Sequence, residues 1–94
     1  MWVIKSFRHK GLQRFYKSGD ARKLKPEHIR RIRNILFALD MAEHPQEMNL
    51  PGFDLHQLKG NLKGFWSVTV SGNWRIVFRF EGVDACDVDL RDFH

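Results

Sequence analysis

The segment Gly64-Phe65-Trp66-Ser67-Val68-Thr69-Val70, Ser71-Gly72, Asn73-Trp74-Arg75-Ile76-Val77-Phe78-Arg79-Phe80, Glu81-Gly82, Val83-Asp84-Ala85-Cys86-Asp87-Val88-Asp89-Leu90 is three β-prone runs joined by two short turn signals. Branched and aromatic residues fit a pleated surface, and the Ser-Gly-Asn and Glu-Gly pairs supply the positive φ of tight hairpins. Consecutive hairpins imply an antiparallel meander. In the middle run Trp74, Ile76, Phe78 and Phe80 alternate with Arg75, Val77 and Arg79, so the aromatic face is core and two arginines project from the other face. Those arginines can meet phosphates, or pair across strands with acids such as Asp87 or Asp89, which is the preferred reading for Arg79.

Working outward, Asp54 to Leu58 reads as a further short strand, and Glu43 to Gly52 as a loop before it. Upstream, Ile29, Ile32, Ile35, Leu36 and Leu39 form one apolar stripe, with Pro26 at the start of that helix and Arg30, Arg31 and Arg33 largely off the stripe. The helix should fade near His44-Pro45. Leu12, Phe15 and Tyr16 mark an earlier helix from Arg8 to Ser18, and Trp2 to Phe7 is an opening strand. The fold class expected is α+β: strand, two helices, then three to four antiparallel strands, the helices packed on one sheet face. No linker or repeat divides residues 1–94, so one domain is expected.

A formal charge of +5 on 94 residues is unevenly spread. From Met1 to Arg33 there are eleven Lys or Arg against Asp20 and Glu27, whereas Glu81 to His94 carries five acids against Arg91. A basic half suits a polyanion such as RNA, and a solvated helix face explains it equally well. No apolar run approaches the roughly 20 residues that span a bilayer, so the expected compartment is the cytoplasm, with no membrane partner. The single cysteine, Cys86, makes no internal disulfide and reads as a small strand filler.

Five histidines without His-x-x-x-His spacing give no support for a metal site, and phosphate-loop and dinucleotide fingerprints are lacking, so no cofactor is expected. Ser18, Ser67 and Ser71 lack the local context of an activated nucleophile. What remains is a series: His56-Gln57-Leu58-Lys59-Gly60, then Gly64-Phe65-Trp66-Ser67-Val68, then Asn73-Trp74-Arg75-Ile76, and a chain end of Asp92-Phe93-His94.

In that order, and with Ile4-Lys5-Ser6-Phe7-Arg8-His9-Lys10-Gly11-Leu12 at the start, these fragments resemble the HigB-type toxins of the RelE superfamily, also called plasmid maintenance killer proteins. The resemblance covers nearly the whole chain. It implies a RelE-like fold and a ribosome-dependent endoribonuclease that cuts messenger RNA by attack of a ribose 2′-hydroxyl on the adjacent phosphate. That chemistry needs a base, an acid and cations on the developing charge, without a metal. The resemblance carries catalytic roles onto His56, Arg75, Asp92 and His94, with Lys59 as a further phosphate-side cation and Phe93 as a stacking residue where the family commonly has tyrosine. Either histidine is base or acid. Arg8, Lys10, Arg14, Lys17, Arg22, Lys23 and Arg30 are then ribosomal RNA contacts. The implied partners are the ribosome, messenger RNA and a HigA-like helix-turn-helix antitoxin, through which alone operator DNA is bound. A noncatalytic nucleic-acid-binding module would not need His56 or His94, and the gyrase-poisoning relatives of the same fold act by binding a protein. Trp66 and Trp74 read as packing residues.

Overall fold

The structure, a computed structural model, describes residues 3–93. Its helices are α1 (Lys10–Ser18) and α2 (Ile29–Met41), and its strands are β1 (His56–Gln57), β2 (Trp66–Ser71), β3 (Trp74–Glu81) and β4 (Asp84–Asp92). The four strands form one antiparallel sheet in the order β1-β2-β3-β4. This is the α+β architecture expected from the hairpin series and the two apolar stripes.

The helices cover one face. Leu12 and Phe15 of α1 and Ile32, Ile35, Leu36 and Leu39 of α2 pack with Val68, Val70, Ile76, Phe78, Ala85 and Val88 of the sheet. Burying a side chain such as Ile76 or Phe78 contributes about 1.5–3 kcal/mol. Trp66 and Trp74 lie half-buried against the core, in the packing role read from alternation. Helix α1 starts where His9 Nδ1 accepts the Leu12 N–H at 3.1 Å and stops at Gly19, whose φ of 77° an L side chain rarely adopts. Gly11 is needed for a different reason: a Cβ there would stand 2.6 Å from the Lys23 Cβ.

Several boundaries differ from the sequence reading, α1 among them, which begins at Lys10 rather than Arg8. Pro26 opens a short 3-10 turn, Pro26–His28, and the α-helix proper begins at Ile29. Helix α2 ends at Met41, before Pro45, because Ala42 turns extended and is buried. The loop after it carries a 3-10 turn, Pro45–Met48, that sinks Met48 completely into the core. The strand expected over Asp54 to Leu58 shrinks to two residues, since Asp54 takes a left-handed φ of 53° and Lys59 leads into the Gly60–Leu62 turn.

The opening run, of which Trp2 lies outside the described residues, lies parallel to β4 but pairs by one bridge, Phe7↔Val88. Lys5 and Arg8 donate to the Ala85 and Val88 carbonyls at 2.8 Å. A regular ladder is prevented by a bulge in β4, where Asp87 has φ 52° and the register against β3 shifts between Val77 and Arg79. Tyr16 secures the run, its hydroxyl accepting from the Val3 and Ile4 N–H groups and donating to Asp40.

Arg79 has the cross-strand role preferred for it, with Nε donating to Asp87 Oδ2 at 2.7 Å. This bond holds the Asp87 carboxyl below the usual range, helped by the charge of Arg8 and the Ser6 hydroxyl against the opposing effect of burial. A depressed folded-state value means the stabilisation is present above the unfolded carboxylate range, about 3.9, and is lost as pH falls through and below it. Urea unfolding midpoints should therefore fall more steeply with acidification for the parent chain than for Asp87→Asn. Equal slopes would refute this contribution.

Candidate active site

Strand register determines which side chains share the sheet face that the helices leave open. Across one row run His56, Ser67, Val77 and Asp89, and across the next Thr69, Arg75 and Arg91, since residues directly opposite in antiparallel strands point to the same side. A cleft of about 280 Å³ opens on this face, lined by His56, Gln57, Leu58, Lys59, Ser67, Arg75 and Phe93. Four of the residues singled out by sequence, His56, Lys59, Arg75 and Phe93, thus converge, although they span nearly forty positions of the chain. Two larger grooves, about 430 and 360 Å³, flank the exposed Phe37 of α2 and contain none of the expected catalytic residues.

His56 is exposed at the sheet edge. Its Nδ1 lies 3.0 Å from the Asp54 carbonyl oxygen and 3.7 Å from Asp54 Oδ1. A carbonyl oxygen only accepts, so in the neutral ring Nδ1 carries the proton and Nε2 keeps the lone pair. That leaves Nε2 as the acceptor atom of the neutral ring. Arg75 is half-buried, with Nη1 donating to Thr69 Oγ1 at 3.4 Å. Neither it nor Lys59 has a salt bridge among the described residues, so both charges are available to an anion in the cleft. Arg75 also stands opposite Arg91, a like-charge pair that is unfavourable unless an anion sits between them.

The chain past β4 extends the site, the Phe93 N–H donating to the Asn73 carbonyl at 2.8 Å and the Arg91 guanidinium lying 5.9 Å from the Phe93 ring centre. Asp92 is exposed in register with Trp74, in the alternate phase to Arg91 and Phe93, and is not among the cleft-lining residues. His94 lies outside the described residues. The expected RNA-docking cations do not line the cleft. Lys10, Arg14 and Lys17 border a separate groove along α1. Arg8 stacks on Phe65 at 4.9 Å and approaches Asp87 at 4.0 Å, Arg22 is paired with Asp20 at 2.8 Å, and Lys23 and Arg30 are exposed. Among the described residues no three His, Cys, Asp or Glu side chains come together as a metal site.

Four residues here have places that the sequence reading did not give them. Asp54 touches His56, and its only sequence signal is an acid two positions before a histidine. Arg91 joins the cation row, a placement visible only once β3 and β4 are in register. Ser67 lies on the cleft floor with its buried Oγ unpartnered among the described residues. Arg31, read only as lying largely off the apolar stripe, donates from Nε to the Thr69 carbonyl at 3.1 Å and from Nη2 to the Gly52 carbonyl, with its guanidinium 4.9 Å from the Phe53 ring centre.

The sequence profile of the HigB-like toxins, described as RelE-like toxins of type II toxin-antitoxin systems, matches residues 5–94. The chain is 40% identical to the endoribonuclease HigB of Proteus vulgaris over 98% of its own length and all of that protein's. It is 33% identical to toxin HigB-1 of Vibrio cholerae serotype O1, covering 79% of this chain and 80% of that one. With an α+β fold and an open cationic cleft behind these matches, the chain belongs to the HigB-like family of type II toxin-antitoxin toxins.

Proposed function

We propose that the chain is the toxin of a type II toxin-antitoxin pair and an endoribonuclease that cuts messenger RNA on the ribosome without a metal. The observation that carries this reading is the convergence of His56, Lys59, Arg75 and Phe93 in one open cleft. His56 Nε2 removes the proton from a ribose 2′-hydroxyl, O2′ bonds to the adjacent phosphorus, and the bond from phosphorus to O5′ breaks. Arg75 and Lys59 stabilise the charge gathering on the phosphate oxygens. Phe93 stacks on a base. His94 returns a proton to the departing O5′, and Asp92, two positions before it, orients that histidine or shares its proton.

Docking follows from charge. Arg8, Lys10, Arg14, Lys17, Arg22, Lys23 and Arg30 contact ribosomal RNA, while the partner that silences the toxin is a HigA-like helix-turn-helix antitoxin that alone carries the pair to operator DNA. Both encounters take place in the cytoplasm. Among the described residues no helix is long and apolar enough to cross a membrane.

The test is cleavage of a messenger on programmed ribosomes against the same transcript free in solution, with mapping of the new ends. Ribosome-bound transcript should be cut to leave a 2′,3′-cyclic phosphate and a 5′-hydroxyl, and a 2′-deoxy substitution at the cut position should block it. Cleavage should weaken steeply with added salt. Cutting of a 2′-deoxy linkage would exclude the mechanism, and equal cutting of free RNA at ordinary salt would exclude the ribosome.

A further inference from the structure

We propose that Asp54 is a positioning residue for His56, holding its ring in the tautomer that leaves Nε2 free and stabilising the imidazolium once a proton is taken up. This rests on the role of His56 as base given above. Three independent features support it.

The first is contact. The Asp54 carbonyl is 3.0 Å from His56 Nδ1 and its carboxylate Oδ1 is 3.7 Å from the same atom, so one residue supplies both an acceptor for the neutral ring and a negative charge for the protonated one. The cations Lys59 and Arg75 line the same cleft, and Asp54 is the acid in contact with the ring. The second is backbone conformation. Asp54 and Asp87 are the two described residues other than glycine with positive φ, and aspartate tolerates the left-handed region better than most side chains. At 53° the Asp54 peptide is turned so that its carbonyl points back at the ring rather than into a ladder. Such uncommon conformations persist where the surroundings over-determine them, often beside a reactive group.

The third feature is what holds the segment. Arg31 donates to the carbonyls of Gly52 and Thr69 and stacks on Phe53, and the Thr69 N–H donates to the Phe53 carbonyl at 2.8 Å. Phe53 itself is buried. The segment leading to Asp54 is thereby tied to both α2 and β2, and its carbonyl is presented to His56 from a fixed support. A surface aspartate with only a solvating role would need none of this.

Two substitutions separate the carbonyl from the charge. Asp54→Asn keeps a side chain tolerant of positive φ, and so keeps the carbonyl, but removes the negative charge. Asp54→Val, being β-branched, disfavours positive φ and turns the carbonyl away. Nitrogen-15 shifts of the histidine ring should report Nδ1–H in the parent and in Asp54→Asn, and a mixture of tautomers in Asp54→Val. For cleavage on ribosomes, Asp54→Asn should lower the neutral-pH rate about two- to fivefold and move the acid limb of the pH–rate profile to lower pH, the size expected of an exposed ion pair. Asp54→Val should lose about tenfold or more. An unmoved acid limb in Asp54→Asn, or a parental tautomer and rate in a folded Asp54→Val, overturns the proposal. A His56→Ala variant that cleaves like the parent overturns the base assignment instead, and the ring-nitrogen result then shows separately whether Asp54 orients the ring.

Discussion

Replacing His56 with alanine is expected to lower RNA cleavage by about 10²–10⁴-fold, the usual contribution of a positioned base, with little effect on folding. The asymmetry follows from where the residue sits. His56 belongs to a two-residue edge strand, is exposed, and has both its polar contacts with Asp54, so its removal opens no cavity and strands no buried partner. Surface substitutions of that kind usually change stability by about 0.5 kcal/mol or less. Cleavage and thermal unfolding measured on the same preparation make the comparison. A double variant lacking His56 and His94 that folds and cuts normally would eliminate histidine acid–base chemistry altogether.

Arg75→Ala should cost about 10²–10³-fold in cleavage, the scale seen when one preorganised donor to a developing oxyanion is removed. Its effect on stability should be small or favourable, because the substitution relieves the like-charge pairing with Arg91 at the loss of one long hydrogen bond to Thr69. Arg75→Lys retains the charge without the planar fork and should recover only part of the rate. A large fall in unfolding temperature accompanied by unchanged specific activity would mean that Arg75 is a structural residue and that the phosphate is held elsewhere.

Phe93 bears on the same chemistry. A phenol at this position would add a hydrogen bond to stacking, so Phe93→Tyr is expected to raise cleavage modestly if that donor assists the phosphate, and an unchanged rate would assign the position to stacking alone.

Much of this was readable from one sequence because local physics decided it. Alternation in Trp74 to Phe80 separated a core face from an open face, and the turn signals at Ser71-Gly72 and Glu81-Gly82 joined β2, β3 and β4 into a meander. The stripe from Ile29 to Leu39 became α2 for the same reason. Element ends were less legible. The Asp54 conformation that shortens β1 and the Asp87 bulge that leaves the opening run with one bridge both depend on neighbours distant in the chain.

The candidate residues divide in the same way. His56, Lys59, Arg75 and Phe93 were named through the family resemblance that their motifs carry, and the chemistry of cutting RNA is consistent with those side-chain types. Their meeting in one cleft, the opposition of Arg75 to Arg91, and the use of Arg31 as a clamp were decided by register and packing. Periodicity assigns a residue to a face because that depends on its nearest neighbours along the chain. Which strand lies opposite, how far it slips at a bulge, and which carbonyl meets the Nδ1 of a histidine depend on the folded chain around them, and only the tertiary structure determines that.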